Sequence, residues 1–325
     1  MERHILGRTG LSVSALGFGC GDVGGLIVRG TPADRERAVA RALDLGINYF
    51  DTAASYGSGE SEKNLGQVLR ALRPDIVLGT KFRIDPPDHG RIADAITASL
   101  DASLRRLGRE RVDLLQLHNR IAGDDRALDV ATILDQVAPA LERLQAQGKI
   151  GFFGITALGD TPALHRVIDA GTFYTAQVCY NLLNPSAGEP MPPGTRAQNF
   201  GALLDHTRAN KMGVIGIRVL AGGALSGVET RHPLAMPKVD PIATGPDYAA
   251  DVARARQLEA LVREGHAASL VEAAIRFTLS SDAVSTALVG YSNLEQLEYA
   301  AAAAHRGPLP RAARDRAAAL LMEAK

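Results

Sequence analysis

Short apolar runs, several of them β-branched, alternate along this chain with longer segments in which Leu and Ala recur every three or four positions. The first pattern predicts buried strands and the second amphipathic helices. Strands are expected over Val13–Gly17, Tyr49–Asp51, Ile76–Thr80, Leu114–Leu117, Ile150–Ile155, Ala176–Cys179, Gly213–Ile217 and Ser285–Leu288. Helices are expected over Ala33–Leu45, Ser61–Leu72, Arg91–Leu107, Ala127–Gln147, Thr161–Ala170, Ala197–Asn210, Asp251–Glu264 and Leu270–Leu279. Such alternation implies parallel strands joined by crossover helices. Eight units without a break in composition predict an α/β fold, a closed (β/α)8 TIM barrel, as a single domain over residues 1–325.

The ends and punctuation add detail. Ile5-Leu6-Gly7 and Leu11-Ser12-Val13 flank Arg8-Thr9-Gly10, which predicts an N-terminal β-hairpin capping the barrel's N-terminal mouth. Residues 184–196 and 227–247 are polar, rich in Pro and Gly, and too long for plain connectors. Loops of that kind after strands six and seven shape a barrel enzyme's pocket. Leu309–Lys325 predicts a C-terminal helix that could lie over the same end.

Composition narrows the partners. Apolar residues make up 46% of the chain, enough for a full core, and 36 basic residues balance 36 acidic ones. Without a charge block there is no general footing for nucleic acid or an anionic membrane, so a small molecule is the expected partner. Cys20 and Cys179 lack metal or disulfide spacing, and no run nears the ~18 apolar residues of a membrane span. The expectation is a soluble, cytoplasmic protein in a reduced setting.

The informative chemistry lies in Phe50-Asp51-Thr52-Ala53-Ala54-Ser55-Tyr56-Gly57, with Lys81 and His118 at the ends of the next two strand-like runs. Singly these residues read as a turn-forming Asp, a packing Tyr, a surface Lys and a structural His. In a barrel, however, neighbouring strand ends converge on one face. There a phenol can protonate a carbonyl oxygen, and an ammonium can stabilise the phenolate it leaves. A carboxylate offsets the cost of burying that ammonium, and an imidazole orients the oxygen.

These residues, with Arg8-Thr9-Gly10-Leu11, Gly17-Phe18-Gly19 and Gly290-Tyr291-Ser292-Asn293, resemble the aldo-keto reductases along almost the whole chain. The resemblance implies an NAD(P)-dependent oxidoreductase acting on aldehydes, ketones or aldoses, with Asp51, Tyr56, Lys81 and His118 as its catalytic set. It implies that Tyr56, His118 and Asn119 meet the substrate. It places Asp51, Thr156, Gln177, Arg218, Leu220, Ala221, Gly223, Gly290, Ser292 and Gln296 around the cofactor. Ser292 and Gln296 favour NADP(H), with NAD(H) the second choice.

Departures from the family pattern are equally legible. Thr156-Ala157 stands where a Ser-Asn pair is usual, Ile217 where an aromatic ring stacks on the nicotinamide, and Arg218 follows it. Tyr299 and Ala300 replace a Glu and an Asn that hold adenine, and Gly290 replaces a lysine beside the 2′-phosphate. Two other readings compete. One is a metal-dependent barrel hydrolase or lyase using Asp51 and His118, weakened by the lack of an H-x-H or similar cluster. The other is a cofactor-binding, redox-sensing subunit without significant turnover, of the kind found among potassium-channel beta subunits of this family. Low aromatic content, 5% with no Trp, slightly favours a small polar carbonyl or sugar.

Overall fold

In a computed structural model describing residues 1–124, 127–191 and 197–323, the apolar runs close into a barrel of eight parallel strands. Residues 192–196 of the predicted 184–196 loop and residues 324 and 325 of the predicted C-terminal helix lie outside the described residues. A hairpin of β1 (Arg3–Ile5) and β2 (Ser12–Ser14) precedes the barrel. The barrel strands are β3 (Leu16–Gly19), β4 (Tyr49–Asp51), β5 (Val77–Phe82), β6 (Val112–Leu117), β7 (Ile150–Thr156), β8 (Thr175–Cys179), β9 (Gly213–Ile217) and β10 (Val284–Gly290). Neighbours in sequence are neighbours in the sheet, and β10 returns to β3. The strands read as continuous apolar runs because helices cover the outside and side chains fill the inside.

The two faces carry separate cores. Outside, Phe18, Phe50, Phe153 and Ile155 meet helix residues such as Leu65, Leu141 and Leu297. Inside, Tyr49, Val77, Leu114 and Ile215 pack with Leu6 and Val13 of the hairpin. The hairpin thus plugs the N-terminal mouth, as its sequence predicts. Arg8 fastens it by donating to the carbonyls of Asn210 (3.0 Å), Gly171 (2.5 Å) and Phe173 (2.8 Å). Gly7 allows the approach: its φ is +51°, and a Cβ there would fall 2.1 Å from Gly213 N.

Helices begin where a side chain takes an orphan N–H, at Thr31, Asp129, Asp160, Asp247, Ser269 and Asn293. Four expectations need correction. The expected Val13–Gly17 strand divides between β2 and β3, because Ser14 turns the chain by bonding the Leu16 carbonyl and the Asn48 side chain. The expected 127–147 helix starts at Val130 and contains a π-turn, Ile133–Val137, just ahead of Pro139, which lacks an N–H. The 197–210 helix is shortened to Leu203–Ala209, since Gly201 and Ala202 take left-handed conformations and Phe200 N–H is held by Ser186.

The fourth concerns the last units. The expected Asp251–Glu264 helix is an insertion between β9 and β10, broken into Tyr248–Gln257 and Ala260–Arg263. Leu270–Thr278 is therefore the seventh barrel helix, and Leu294–His305 after β10 is the eighth. The C-terminal helix, Arg311–Glu323, packs beside the inserted helices, with Arg316 on Glu264 (2.8 Å) and Arg314 on Glu189 (2.7 Å). Among the described residues no helix is long and apolar enough to cross a membrane.

Gly7→Ala is expected to destabilise the protein by about 3 kcal/mol, combining left-handed strain with overpacking. Gly10, also at positive φ but with open space around it, should cost only about 1 kcal/mol when changed to Ala. Equilibrium urea unfolding of the two variants measures the difference; equal midpoints would refute the crowding at the plug.

Candidate active site

At the C-terminal mouth the strand ends bring together four residues that are far apart in sequence. Asp51 ends β4, Lys81 lies one residue before the end of β5, and His118 follows β6 with its N–H on the Phe82 carbonyl (2.9 Å). Tyr56 comes from the loop after β4, on a turn that Gly57 makes possible. Gly57 has φ +55°, a Cβ there would meet Val28 at 2.5 Å, and its N–H is held by Asp22 (3.1 Å).

Asp51 and Lys81 are each 1% exposed and form an ion pair. Lys81 Nζ also donates to the Thr52 carbonyl (2.8 Å) and to the Tyr56 hydroxyl (3.1 Å). The second oxygen of Asp51 accepts from Tyr49 Oη (2.9 Å) and Gln177 Nε2 (2.7 Å). Both oxygens of the carboxylate thereby have partners. The His118 ring stands edge-on to Tyr56 at 5.7 Å, with Nδ1 3.4 Å from Ser55 Oγ.

Burial by itself would strip Lys81 of its proton, but Asp51 and the Tyr56 oxygen outweigh that effect and raise its pKa. Tyr56 departs from the lowering that a neighbouring ammonium by itself would give. Burial raises its pKa, the Lys81 charge pulls it back, and Asp51 pushes it up again, so the net direction is upward. The phenol therefore stands as a protonated acid at neutral pH. Burial, with the charges of Lys81 and Arg83, lowers His118 to about 3, leaving a neutral imidazole.

From this pocket a groove of about 710 Å³ runs past the loop after β9 to the turn after β10. Of the residues expected to line it, Asp51, Tyr56, His118, Thr156, Gln177, Arg218, Leu220, Gly223, Gly290, Ser292 and Gln296 do so. Asn119 and Ala221 do not. Both ends of the Asn119 amide hold the backbone of Ile84 (2.8 Å each), and Gly222 takes the place at the wall expected of Ala221.

The wall fits a dinucleotide. Among the described residues Thr156 Oγ1 and Arg218 Nη1 are buried there without a hydrogen-bond partner, and a polar ligand would satisfy them. Gly222 (φ +72°) and Gly223 (φ +110°) expose backbone that most side chains would cover.

Sequence reasoning missed one side of this groove. Gly19-x-Gly21-x-x-Gly24 follows β3, a spacing legible in the sequence, and it lets the chain pass close to β10 and Tyr56. A Cβ on Gly24 would fall 2.5 Å from Tyr291 N, and one on Gly21 3.3 Å from the Tyr56 ring. The long loop after β9 crosses to this segment: Arg231 and Met236 N–H both bond the Val23 carbonyl (3.2 Å), and Arg29 bonds that of Leu234 (2.7 Å). Tyr49 was also missed, since a tyrosine opening a strand carries in the sequence no sign of the carboxylate it serves.

Comparison with known proteins places this geometry. Residues 15–320 match the model of the Aldo/keto reductase family. The chain is 32% identical to L-galactose dehydrogenase of Arabidopsis thaliana, over 92% of this chain and 86% of that one. It is 33% identical to D-threo-aldose 1-dehydrogenase of a Pseudomonas species, covering 90% and 91%. Among solved structures, the holo form of aldo-keto reductase AKR11C1 from Bacillus halodurans superposes with a TM-score of 0.74 at 24% identity, covering 98% of this chain and 96% of that one.

Two outcomes test the electrostatics. Because the folded pKa of His118 lies below its ordinary value of 6.5, the unfolded chain binds a proton between about pH 3 and 6.5 that the folded chain refuses, and stability falls as pH drops through that window. The His118 ring signals should accordingly stay constant by NMR from pH 5 to 8; a midpoint near 6.5 would refute the desolvated site. Asp51→Asn, which strands the Lys81 charge, should lower stability by about 3–5 kcal/mol in urea unfolding. A loss under about 1 kcal/mol would show that the ammonium does not depend on Asp51.

Proposed function

The chain belongs to the Aldo/keto reductase family and is an oxidoreductase, and from that premise we propose that it interconverts a small aldehyde, ketone or aldose and the corresponding alcohol, with a nicotinamide cofactor and Tyr56 as acid and base. The observation that carries this reading is the Tyr56 hydroxyl 3.1 Å from a Lys81 ammonium that is itself paired with Asp51. When bound, the nicotinamide supplies or receives the hydride. The protein's own groups manage the proton and the substrate oxygen.

In reduction Tyr56 gives its proton to the carbonyl oxygen, and the phenolate left behind faces Lys81. Asp51 keeps Lys81 charged, so the ammonium is in place before the phenolate forms. In the tautomer whose Nδ1 accepts from Ser55 Oγ, His118 Nε2–H bonds the same substrate oxygen. In oxidation the steps reverse, and the phenolate takes the alcohol proton. Thr156 and Gln177 would hold the nicotinamide end, while Arg218, Leu220 and Gly223 would hold the pyrophosphate.

An aldose or similarly small, polar carbonyl is favoured by relatives named for L-galactose and D-threo-aldose dehydrogenation. The donor set speaks against a metal reading. Both Asp51 oxygens are committed to Lys81, Tyr49 and Gln177, and among the described residues no group of three or more His, Cys, Asp or Glu could hold an ion.

Following nicotinamide absorbance with a simple aromatic aldehyde and with a panel of aldoses tests the proposal. Tyr56→Phe should lose about 10²–10⁴-fold in kcat while still binding cofactor. Undiminished turnover in that variant would remove Tyr56 from its role.

A further inference from the structure

Two tyrosines stand at opposite ends of the buried ion pair. Tyr49 Oη donates to Asp51 Oδ2 (2.9 Å), Lys81 Nζ bonds Asp51 Oδ1, and the same ammonium donates to Tyr56 Oη (3.1 Å). An ammonium can only donate, so Tyr56 receives this bond on a lone pair and its own O–H points elsewhere. Tyr56 lines the groove, whereas Tyr49 is fully buried in the core of the barrel interior. One phenol offers its proton to a ligand and the other to Asp51.

The carboxylate joins the two ends. Held through one oxygen alone, it could turn about its Cβ–Cγ bond and offer either oxygen to Lys81. Two donors on Oδ2, Tyr49 Oη and Gln177 Nε2 (2.7 Å), oppose that turn. Gln177 lines the groove, within reach of whatever fills it, but the hold of Tyr49 is sealed in the core. Burial and the charge of Asp51 keep the Tyr49 phenol well above its ordinary pKa, so it remains a donor at neutral and mildly alkaline pH.

Packing fixes the Tyr49 ring. Leu6, Val13, Val77, Leu114 and Ile215 share its core, and two glycines leave room for its outline. A Cβ on Gly17 would lie 2.9 Å from Tyr49 Cδ1, and one on Gly79 3.1 Å from Tyr49 Oη and 3.4 Å from Asp51 Oδ2. Gly79 pairs with Asp51 across β4 and β5, so this clearance falls where phenol meets carboxylate. A phenylalanine would fill the same core without the cost of burying a hydroxyl, so packing alone does not account for a tyrosine.

We propose, resting on the carbonyl and alcohol reading above, that Tyr49 is a positioning residue for the reaction. Its hydroxyl fixes the Asp51 carboxylate with one oxygen toward Lys81, and Lys81 in turn holds Tyr56 with its proton free for the substrate. With Oδ2 engaged by Tyr49, the carboxylate draws less on Lys81, and more of the ammonium charge is left to meet the phenolate.

Tyr49→Phe removes the hydroxyl and keeps the ring. In the nicotinamide absorbance assay its kcat should fall about tenfold, the order of a hydrogen bond to a charged group, while KM and nucleotide Kd stay within about twofold. Ile215→Val trims the same core without removing a hydroxyl and should leave kcat unchanged. An equal loss in Ile215→Val would overturn the proposal, because slackened packing would then be the cause. A second readout needs neither cofactor nor turnover. In chains labelled with 3-fluorotyrosine, whose fluorine makes the phenol more acidic and easier to titrate, Tyr56→Phe identifies the Tyr56 fluorine signal. Its titration midpoint should move upward in Tyr49→Phe, since less of the Lys81 charge then reaches the phenolate; Asp22 and Arg218, which also act on Tyr56, are untouched by the change. Either an unchanged kcat or an unmoved midpoint would sink the role of Tyr49. Absence of turnover in the unaltered chain would instead remove the carbonyl reading, and the fluorine titration would still decide whether Tyr49 acts on Tyr56.

Discussion

Two full charges lie in the barrel wall with almost no contact with water, and most of the active site is arranged to make that tolerable. Removing an ammonium and a carboxylate from water costs several kcal/mol each, recovered only when geometry and supporting hydrogen bonds are complete. Asp51 meets that demand through Tyr49 and Gln177, and Lys81 through Thr52 and Tyr56. The pair therefore ties β4, β5 and β8 together at the mouth. Tyr56 is placed as a consequence: its hydroxyl is one of the few partners left for the ammonium, so the position that steadies the lysine also readies the phenol.

That arrangement depends on a dry barrel. At the opposite end Leu6 and Val13 seal the interior, and Tyr49 links the two regions, its ring in the plug core and its hydroxyl on Asp51. Low polarizability around the pair strengthens each of its interactions and equally penalises any charge without a partner. His118 illustrates the second effect: near Lys81 and Arg83, with no acid beside it, it stays neutral. Two groups at one mouth are thus held in the protonation states that carbonyl chemistry uses, one by pairing and one by lack of it.

The groove extends the same logic outward. The guanidinium groups of Arg218 and Arg231 line the wall after β9, and Ser292, Glu295, Gln296 and the partly exposed Tyr299 line the turn and helix after β10. The long loop after β9, bonded to Val23 and Arg29, ties this wall to the segment after β3. The buried ion pair and the open groove consequently reside in different elements, one in the strand ends and the other in the loops after β9 and β10.

The sequence alone determined the eight strands, the plugging hairpin and the convergence of Asp51, Tyr56, Lys81 and His118, because those follow from local periodicity and from the closure that eight parallel units impose. Helix limits near Gly201, Ala202 and Pro139 were less legible, since tertiary hydrogen bonds to Ser186 and a π-turn override local propensity. Tertiary structure alone decided which side chains remain available. Asn119 is held by Ile84, the Ser292 hydroxyl by Gly24 and Gln296 Oε1 by Ser292, whereas among the described residues Arg218 keeps an unpartnered donor in the groove. It also set the upward direction of the Tyr56 pKa, which depends on burial among residues distant in sequence. Hydrogen bonds and desolvation act through space over a few ångströms, and the residue order does not record which groups will be that close.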